Sequence, residues 1–501
     1  MEQTITHQNH QNLSTEHSEM KRELGLFDST MIVVGSMIGS GIFIVTSDIA
    51  RLLGSPFWIL FVWLLTGAIT LMAALSYGEL AGMMPKAGGQ YVYLREAYNK
   101  FVGFLYGWTT FMVIQTGTIA AVAIAFAKYT GVLLPQLINA DPLFNLGPIA
   151  FSSQQFLGVA LIALLTIINL YGVKNAKIIQ GIFTVAKIVS LLGLIVLGVY
   201  IGWNSNAFHQ NFSNFFAAPF KTTANVNTLD VIKLSGWALI GAIGGALVGS
   251  LFSSDAWNNI TYTAGEVKEP KRNIPLSLFF GTLIVTVLYI LANIAYLSLL
   301  PVNGNPAGSD VLARGIMFAT NDRVATAGAE IIFGGAAVVI MAVLIMISTF
   351  GCNNGLIMAG ARLYYAMAKD GLFLKKAENL NNKGVPAYGL IIQGIWASVL
   401  CFSGKYNELL DYVIFAVLIF YSLTIGGIFI LRKTQPNAER PYKAFGFPIV
   451  PALYIILAMA ICIDLLIVKS TTSLIGLGIV LIGIPVYFIL NSGKNLQQNK
   501  S

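Results

Sequence analysis

The sequence predicts an all-α membrane protein of twelve transmembrane helices, arranged as a 5+5 inverted repeat with discontinuous helices 1 and 6 and two further helices at the C-terminal end. Three observations predict it. Hydrophobic residues make up 56% of the 501 positions and charged residues only 10%, whereas a soluble domain carries about 25% charged residues. Apolar runs of about 20 residues, enough to cross a bilayer, recur along the chain. Two of these runs, in corresponding positions of two five-helix halves, are broken by glycine-rich and polar stretches, the pattern of an inverted-repeat carrier with its site at the midplane.

The runs fall at 28 to 52, 57 to 83, 101 to 134, 152 to 172, 177 to 202, 236 to 264, 274 to 300, 326 to 368, 386 to 404, 408 to 431, 446 to 467 and 471 to 491. Residues 23–204 form the first repeat, 205–432 the second, and 433–493 helices 11 and 12. The polar segment 1–22 is read as a disordered cytoplasmic tail and 494–501 as a second cytoplasmic tail. With the N-terminus inside, 21 of the 30 Lys and Arg residues fall on the inner side and 8 on the outer, with Lys187 within a span. Cytoplasmic loops are the ones enriched in Lys and Arg, so both termini are expected in the cytoplasm of a cell-membrane protein. Topology and contact with anionic lipid account for the +8 net charge, and no nucleic-acid partner is needed.

Cys352, Cys401 and Cys462 sit in or beside apolar stretches, which indicates neither a disulfide framework nor a cysteine metal site. His7, His10 and His17 lie in the tail and His209 in a polar loop. No nucleophile with a base and no metal cluster stands out, so neither an enzyme nor a cofactor is expected.

Helix 1 carries Val34-Gly35-Ser36-Met37-Ile38-Gly39-Ser40-Gly41-Ile42-Phe43. Glycine costs about 1 kcal/mol relative to alanine in a helix interior. Unwound backbone at membrane depth is tolerated only where it is buried in protein or lines a cavity. The stretch reads either as close helix packing through small residues or as a break near Gly39-Ser40-Gly41 that offers amides to a ligand. Helix 2 ends in Tyr77-Gly78-Glu79-Leu80, followed by Pro85 and Gly88-Gly89-Gln90-Tyr91-Val92-Tyr93, which reads as a re-entrant or interfacial loop with its tyrosines at headgroup level. Glu79 is expected to snorkel or to pair with Arg95.

These motifs together, Ile38-Gly39-Ser40-Gly41-Ile42-Phe43 followed by Tyr77-x-Glu79-Leu80, Pro85 and Gly88-Gly89-x-Tyr91-x-Tyr93, resemble the amino acid-polyamine-organocation transporter superfamily, with the L-type amino acid transporter branch the nearest match. The resemblance implies a LeuT-like fold and a secondary carrier of L-amino acids working by alternating access, through exchange or proton coupling.

In helix 5, Lys187 lies well inside the membrane, where an ammonium needs a carboxylate or carbonyl partner or a changeable protonation state. By resemblance it fills the place where sodium-coupled members of the fold hold an ion, so transport is expected to be sodium-independent, with Lys187 acting in coupling. Helix 6 holds Gly241 to Phe252 and then Ser253-Ser254-Asp255-Ala256-Trp257-Asn258-Asn259. Five polar residues in seven cannot face lipid. This partner to the first break favours a ligand site at Gly39 to Gly41 over packing. The segment Ala264-Gly265-Glu266 to Pro275 and the run from Ala361-Arg362 to Gly371 are again similar to the family. In helix 8, Asn353 and Asn354 either line the cavity or bridge helices.

A helix half opening at Ser40 and Gly41 suits a carboxylate, and freed carbonyls at Met37, Phe252 and Asp255 suit an ammonium. The resemblance implies these roles for Met37, Gly39, Ser40, Gly41, Phe252, Ser253 and Asp255, with Phe252 also a gate. Asp255 departs from many L-type relatives, which have a small neutral residue there. Its carboxylate either favours a cationic side chain, pairs with Lys187 or takes part in proton coupling. L-type relatives that pair with a glycoprotein use a cysteine between helices 3 and 4; residues 135–151 contain none, so no disulfide-linked heavy-chain subunit is expected. The alternatives are a polyamine or cationic amine carrier and a non-transporting amino acid sensor.

Overall fold

The chain was analysed as a computed structural model, which describes residues 20–146, 149–224, 229–403 and 406–498. The tail residues 1–19, with His7, His10 and His17, lie outside the described residues, as do Lys405, Lys500 and the end of the second tail.

Among the described residues, ten helices are long and apolar enough to cross a membrane. The glycine-rich first run instead forms two short helices, α1 (Leu26–Met37) and α2 (Val45–Leu53), joined through a 3₁₀ turn at Gly41–Phe43. Next come α3 (Pro56–Met83), the short α4 (Gln90–Ala97) and α5 (Lys100–Leu133), the last with a π-helical stretch at Thr110–Ile114. α6 (Ser153–Leu170), α7 (Val173–Gly202) and the short α8 (Asn206–Ser213) follow. The polar segments on either side of this group carry two small antiparallel hairpins, Pro142–Leu146 with Ile149–Ser152 and Phe220–Ala224 with Leu229–Lys233.

The second interrupted run gives α9 (Gly236–Ser253), a non-helical stretch, and then only α10 (Asn259–Tyr262) and a 3₁₀ turn at Ala264–Glu266. α11 (Pro270–Leu299) starts on a proline, whose missing N–H is no loss at a first helical position. Beyond it are α12 (Val311–Arg314), α13 (Val324–Phe333), α14 (Ala337–Lys369), α15 (Ala387–Ser403), α16 (Tyr406–Thr434), α17 (Ile449–Val468) and α18 (Ser470–Gln498). α11 packs on α1, α3 and α7, while α14 packs on α1, α5 and α7. The first interrupted helix is therefore enclosed by three long helices, and its freed backbone groups meet protein.

Three expectations are corrected. The run 326–368 is two helices, because Gly334 adopts a left-handed φ of 59° that turns the chain between α13 and α14. Tyr91 and Tyr93 are buried on α4, packed in protein and not held at a lipid interface. Gly88 and Gly89 make this turn possible: both have positive φ, and a Cβ at Gly89 would lie 2.2 Å from the Thr261 hydroxyl.

Glu79, the third, does not pair with Arg95. Its carboxylate accepts from Arg432 (2.6 Å), Arg440 (3.2 Å) and the Ala444 amide (2.7 Å), which ties the end of α3 to the end of α16. Arg95 instead reaches Glu96 and Asp370. The distinction is spatial: the segment after α16 folds back over Glu79, a contact more than 350 residues away in sequence.

The N-terminal face is held by a buried ion pair, Arg362 to Glu266 at 3.0 Å. Breaking one partner of such a pair typically costs about 3–5 kcal/mol. The Glu266 carbonyl accepts the amides of Glu23 and Leu24, and Lys177 donates to the Glu23 carbonyl at 3.0 Å. The start of the chain is thus laid across the start of α7 and the end of the second interrupted helix.

Candidate functional site

Where α1 ends, Ile38 turns to φ −76°, ψ 92°, and helical hydrogen bonding lapses until the 3₁₀ turn. Freed carbonyls in a protein interior need donors. Lys187 of α7, fully buried, donates to the carbonyls of Gly35 (2.8 Å), Ile38 (2.7 Å) and Ser348 (3.0 Å). Ser348 Oγ donates to Ile38 and Gly39, and Cys352 Sγ to Ser36, all at 3.0 Å. These acceptors use all three ammonium protons. A pairing of Lys187 with Asp255, one of the sequence alternatives, is therefore not what the structure contains. Among the described residues, the amides of Gly41 and Ile42 take no backbone acceptor.

The second break lies against the first. α9 ends at Ser253, Ala256 takes a left-handed φ of 65°, and helix resumes only at Asn259. A Cβ at Gly41 would fall 1.9 Å from Ser253 Oγ and 3.1 Å from its Cα, so only glycine lets the two breaks approach this closely. Gly39 is less confined, since its Cβ would meet Cys352 Sγ at an ordinary 3.5 Å. Tyr289 of α11 spans the pair: its hydroxyl lies 3.2 Å from the Met37 carbonyl and 3.0 Å from that of Ser253.

Phe252 and Asp255 are both half-buried. Asp255 accepts from the Tyr421 hydroxyl at 2.7 Å and lines two small cavities. The first is also lined by Gln90, Gln115, Thr118, Asn258 and Asn259. Its open volume of about 10 Å³ is room for about one water. Beside the second, Tyr77 packs edge to face on Trp257, with centroids 4.7 Å apart, and on Tyr421, while Trp257 and Tyr421 meet at a tilt of 47°.

The two asparagines of α14 differ. Asn354 donates to the Ala176 carbonyl (3.1 Å) and Gln180 Oε1 (3.0 Å) and accepts from Asn169 (3.1 Å), bridging three helices. Asn353 is fully buried, and neither of its side-chain polar atoms has a partner among the described residues.

Sequence reasoning missed Tyr289, Ser348, Cys352 and Tyr421. A signal existed for the first: Tyr289, Asn293 and Tyr296 recur at i, i+4 and i+7 in an otherwise apolar helix. All three face the first interrupted helix: Asn293 accepts from Thr46 (2.6 Å) and Tyr296 donates to Ile42 (3.4 Å).

A membrane-spanning helical chain in which two interrupted helices meet across glycine belongs to the carrier class, and comparison with known sequences gives the family. A family model described as amino acid permease matches residues 24–499. The chain belongs to the amino acid permease family, and it is an integral membrane transporter, not an enzyme. It is 30% identical over 427 residues to the b(0,+)-type amino acid transporter 1 of Oryctolagus cuniculus, covering 85% of this chain and 79% of that one. It is 28% identical over 485 residues to the serine/threonine exchanger SteT of Bacillus subtilis, covering 96% of this chain and all of the relative. With the large neutral amino acids transporter small subunit 2 of Rattus norvegicus it shares 30% identity over 475 residues, 94% and 81% of the two chains.

Tyr289→Phe tests the link between the breaks. Loss of one buried hydrogen-bond donor costs about 1–2 kcal/mol, so KM for uptake is expected to rise about 5- to 30-fold while the Trp63 edge contact to the ring persists. An unchanged KM removes Tyr289 from the site.

Proposed function

We propose that this protein carries amino acids across the cell membrane by alternating access, with twelve spans in a LeuT-like arrangement of two repeats, 23–204 and 205–432, and both termini in the cytoplasm. The observation that carries this reading is the contact of the two breaks at Gly41 and Ser253, with the amides of Gly41 and Ile42, which take no backbone acceptor among the described residues, beside it. Those amides, with Ser40, suit the substrate carboxylate, and the Met37 and Ser253 carbonyls suit its ammonium. The gate is Phe252. Because the cavity beside Asp255 holds about one water, substrate is admitted there only as the helix halves separate. Sodium independence is supported by the Lys187 ammonium, which occupies the carbonyls of Gly35, Ile38 and Ser348 that a metal cation would otherwise need.

Exchange is favoured by the relative named as an exchanger, and proton coupling through Lys187 is the other mode. No disulfide-linked subunit is proposed, since the 135–151 loop offers no cysteine. Asp255, its hydroxyl partner Tyr421 and the amides of Gln115 and Asn259 form a polar side-chain pocket, which points to cationic or hydrogen-bonding side chains.

Counterflow in liposomes loaded with mixed amino acids, free of sodium, tests the reading. Labelled substrate is expected to accumulate; a carrier that never accumulates any, or one that takes up putrescine alone, sinks it. Asp255→Asn is expected to reduce uptake of arginine relative to serine by about 10-fold, the equivalent of about 1.4 kcal/mol of discrimination. An unchanged ratio moves the substrate side chain away from Asp255.

A further inference from the structure

A cavity of about 350 Å³ opens on the face opposite the N-terminal residues, between the end of α5, the start of α6 and the turn before α13. It is far larger than the spaces beside Asp255. Its polar wall is donor-rich: Lys128, Arg323, Gln154, Asn139 and Asn321, with no acid among the ten lining residues. The nearby carboxylate, Asp322, lies outside the lining; it is within electrostatic reach of Lys128 and is bonded to Arg51 at 2.6 Å.

Arg323 is placed with some strain. The two residues before it, Asn321 and Asp322, both adopt left-handed backbone (φ 54° and 62°), a conformation that costs non-glycine residues about 1 kcal/mol or more and recurs at ligand clamps. Its guanidinium lies 5.6 Å above the Tyr129 ring, and its buried Nε has no acceptor among the described residues. Tyr129 lies on α5 beside this cavity, and Tyr296 of α11 donates to the Ile42 carbonyl in the first break.

Resting on the carrier reading above, we propose that this cavity is a first-contact site: Lys128 and Arg323 hold the α-carboxylate of an amino acid at the membrane face before it passes inward to the central site. A guanidinium with an unused Nε and a neighbouring ammonium match a carboxylate in charge and geometry, and Gln154 and Asn321 supply further donors. A positively lined concavity raises the local concentration of an anionic group and its rate of association, and salt screens the effect.

The test is initial-rate uptake of labelled L-arginine and L-serine by the wild type, by Lys128→Gln/Arg323→Gln, and by Lys128→Arg/Arg323→Lys, in intact cells and in inside-out vesicles. The neutralised variant is expected to show KM raised about 5- to 10-fold on one membrane face only, with kcat unchanged and with the wild-type rise of KM with choline chloride lost. The charge-conserving variant keeps the wild-type KM. An unchanged KM on both faces, or an equal rise on both, overturns the proposal. So does a response that follows the anionic lipid content of the vesicles, which assigns the cations to a phosphate headgroup. Wild type that moves no amino acid of a mixed panel overturns the carrier reading and this site with it; where wild type moves another amino acid, that one replaces arginine and serine in the assay, and normal wild-type transport with any of the other outcomes overturns this site alone.

Discussion

Gly41→Ala is expected to lower transport by about 10-fold or more, and Ser253→Gly to restore part of it. The added methyl would sit 1.9 Å from Ser253 Oγ and 2.7 Å from its Cβ, so the two interrupted helices must part. Overpacking of this kind costs about 1–3 kcal/mol. In the double variant the nearest remaining atom is the Cα at position 253, originally 3.1 Å away, a separation that a few tenths of an ångström relieves. A double-mutant cycle on uptake rate and on thermal unfolding in detergent isolates the coupling. Additive effects would show that the helix breaks do not work against each other. A leucine at position 41 would likewise wedge the seam open, so lost transport in such a variant does not report carboxylate binding alone.

Lys187→Ala carries the second large effect. It removes three hydrogen bonds to Gly35, Ile38 and Ser348 in a fully buried place. Bonds to a charged group contribute about 1.5–3 kcal/mol each, and a carbonyl left bare costs about 1–3 kcal/mol. Ser348 Oγ still serves Ile38 and Gly39, so the first break is expected to loosen without unfolding. Uptake should fall about 10-fold or more, with a lower unfolding temperature and a flattened pH profile. Lys187→Arg is expected to rescue poorly, because a planar fork cannot reach three carbonyls arranged around one nitrogen. If the alanine variant keeps its rate and pH profile, Lys187 is structural only.

The helical spans were legible because hydropathy is a local property. A run such as 57 to 83 needs no knowledge of its neighbours to declare itself, and α3 occupies Pro56–Met83. The breaks were legible for a related reason: polar and glycine residues at membrane depth have few physical uses, and two of them in corresponding helices have fewer. Misreadings arose where a residue's meaning depends on a distant partner. Glu79 was matched to Arg95, its near neighbour in sequence, although Arg432 and Arg440 reach it from the far end of α16. Tyr91 and Tyr93 looked interfacial because tyrosine suits headgroups, but α4 folds into the protein, where Tyr91 meets Asp370.

By itself the sequence determined that this chain lives in a membrane, that its first and sixth runs are interrupted, and that Lys187 needs partners there. These follow from transfer free energies and helix propensity, which act residue by residue. Only the tertiary structure decided that the breaks meet at Gly41 and Ser253, that Tyr289 joins them, that Lys187 spends its protons on three carbonyls and that Asp255 turns to Tyr421. Those choices are made by packing and by the saturation of buried hydrogen-bonding groups, which hydropathy and spacing along a single chain do not encode.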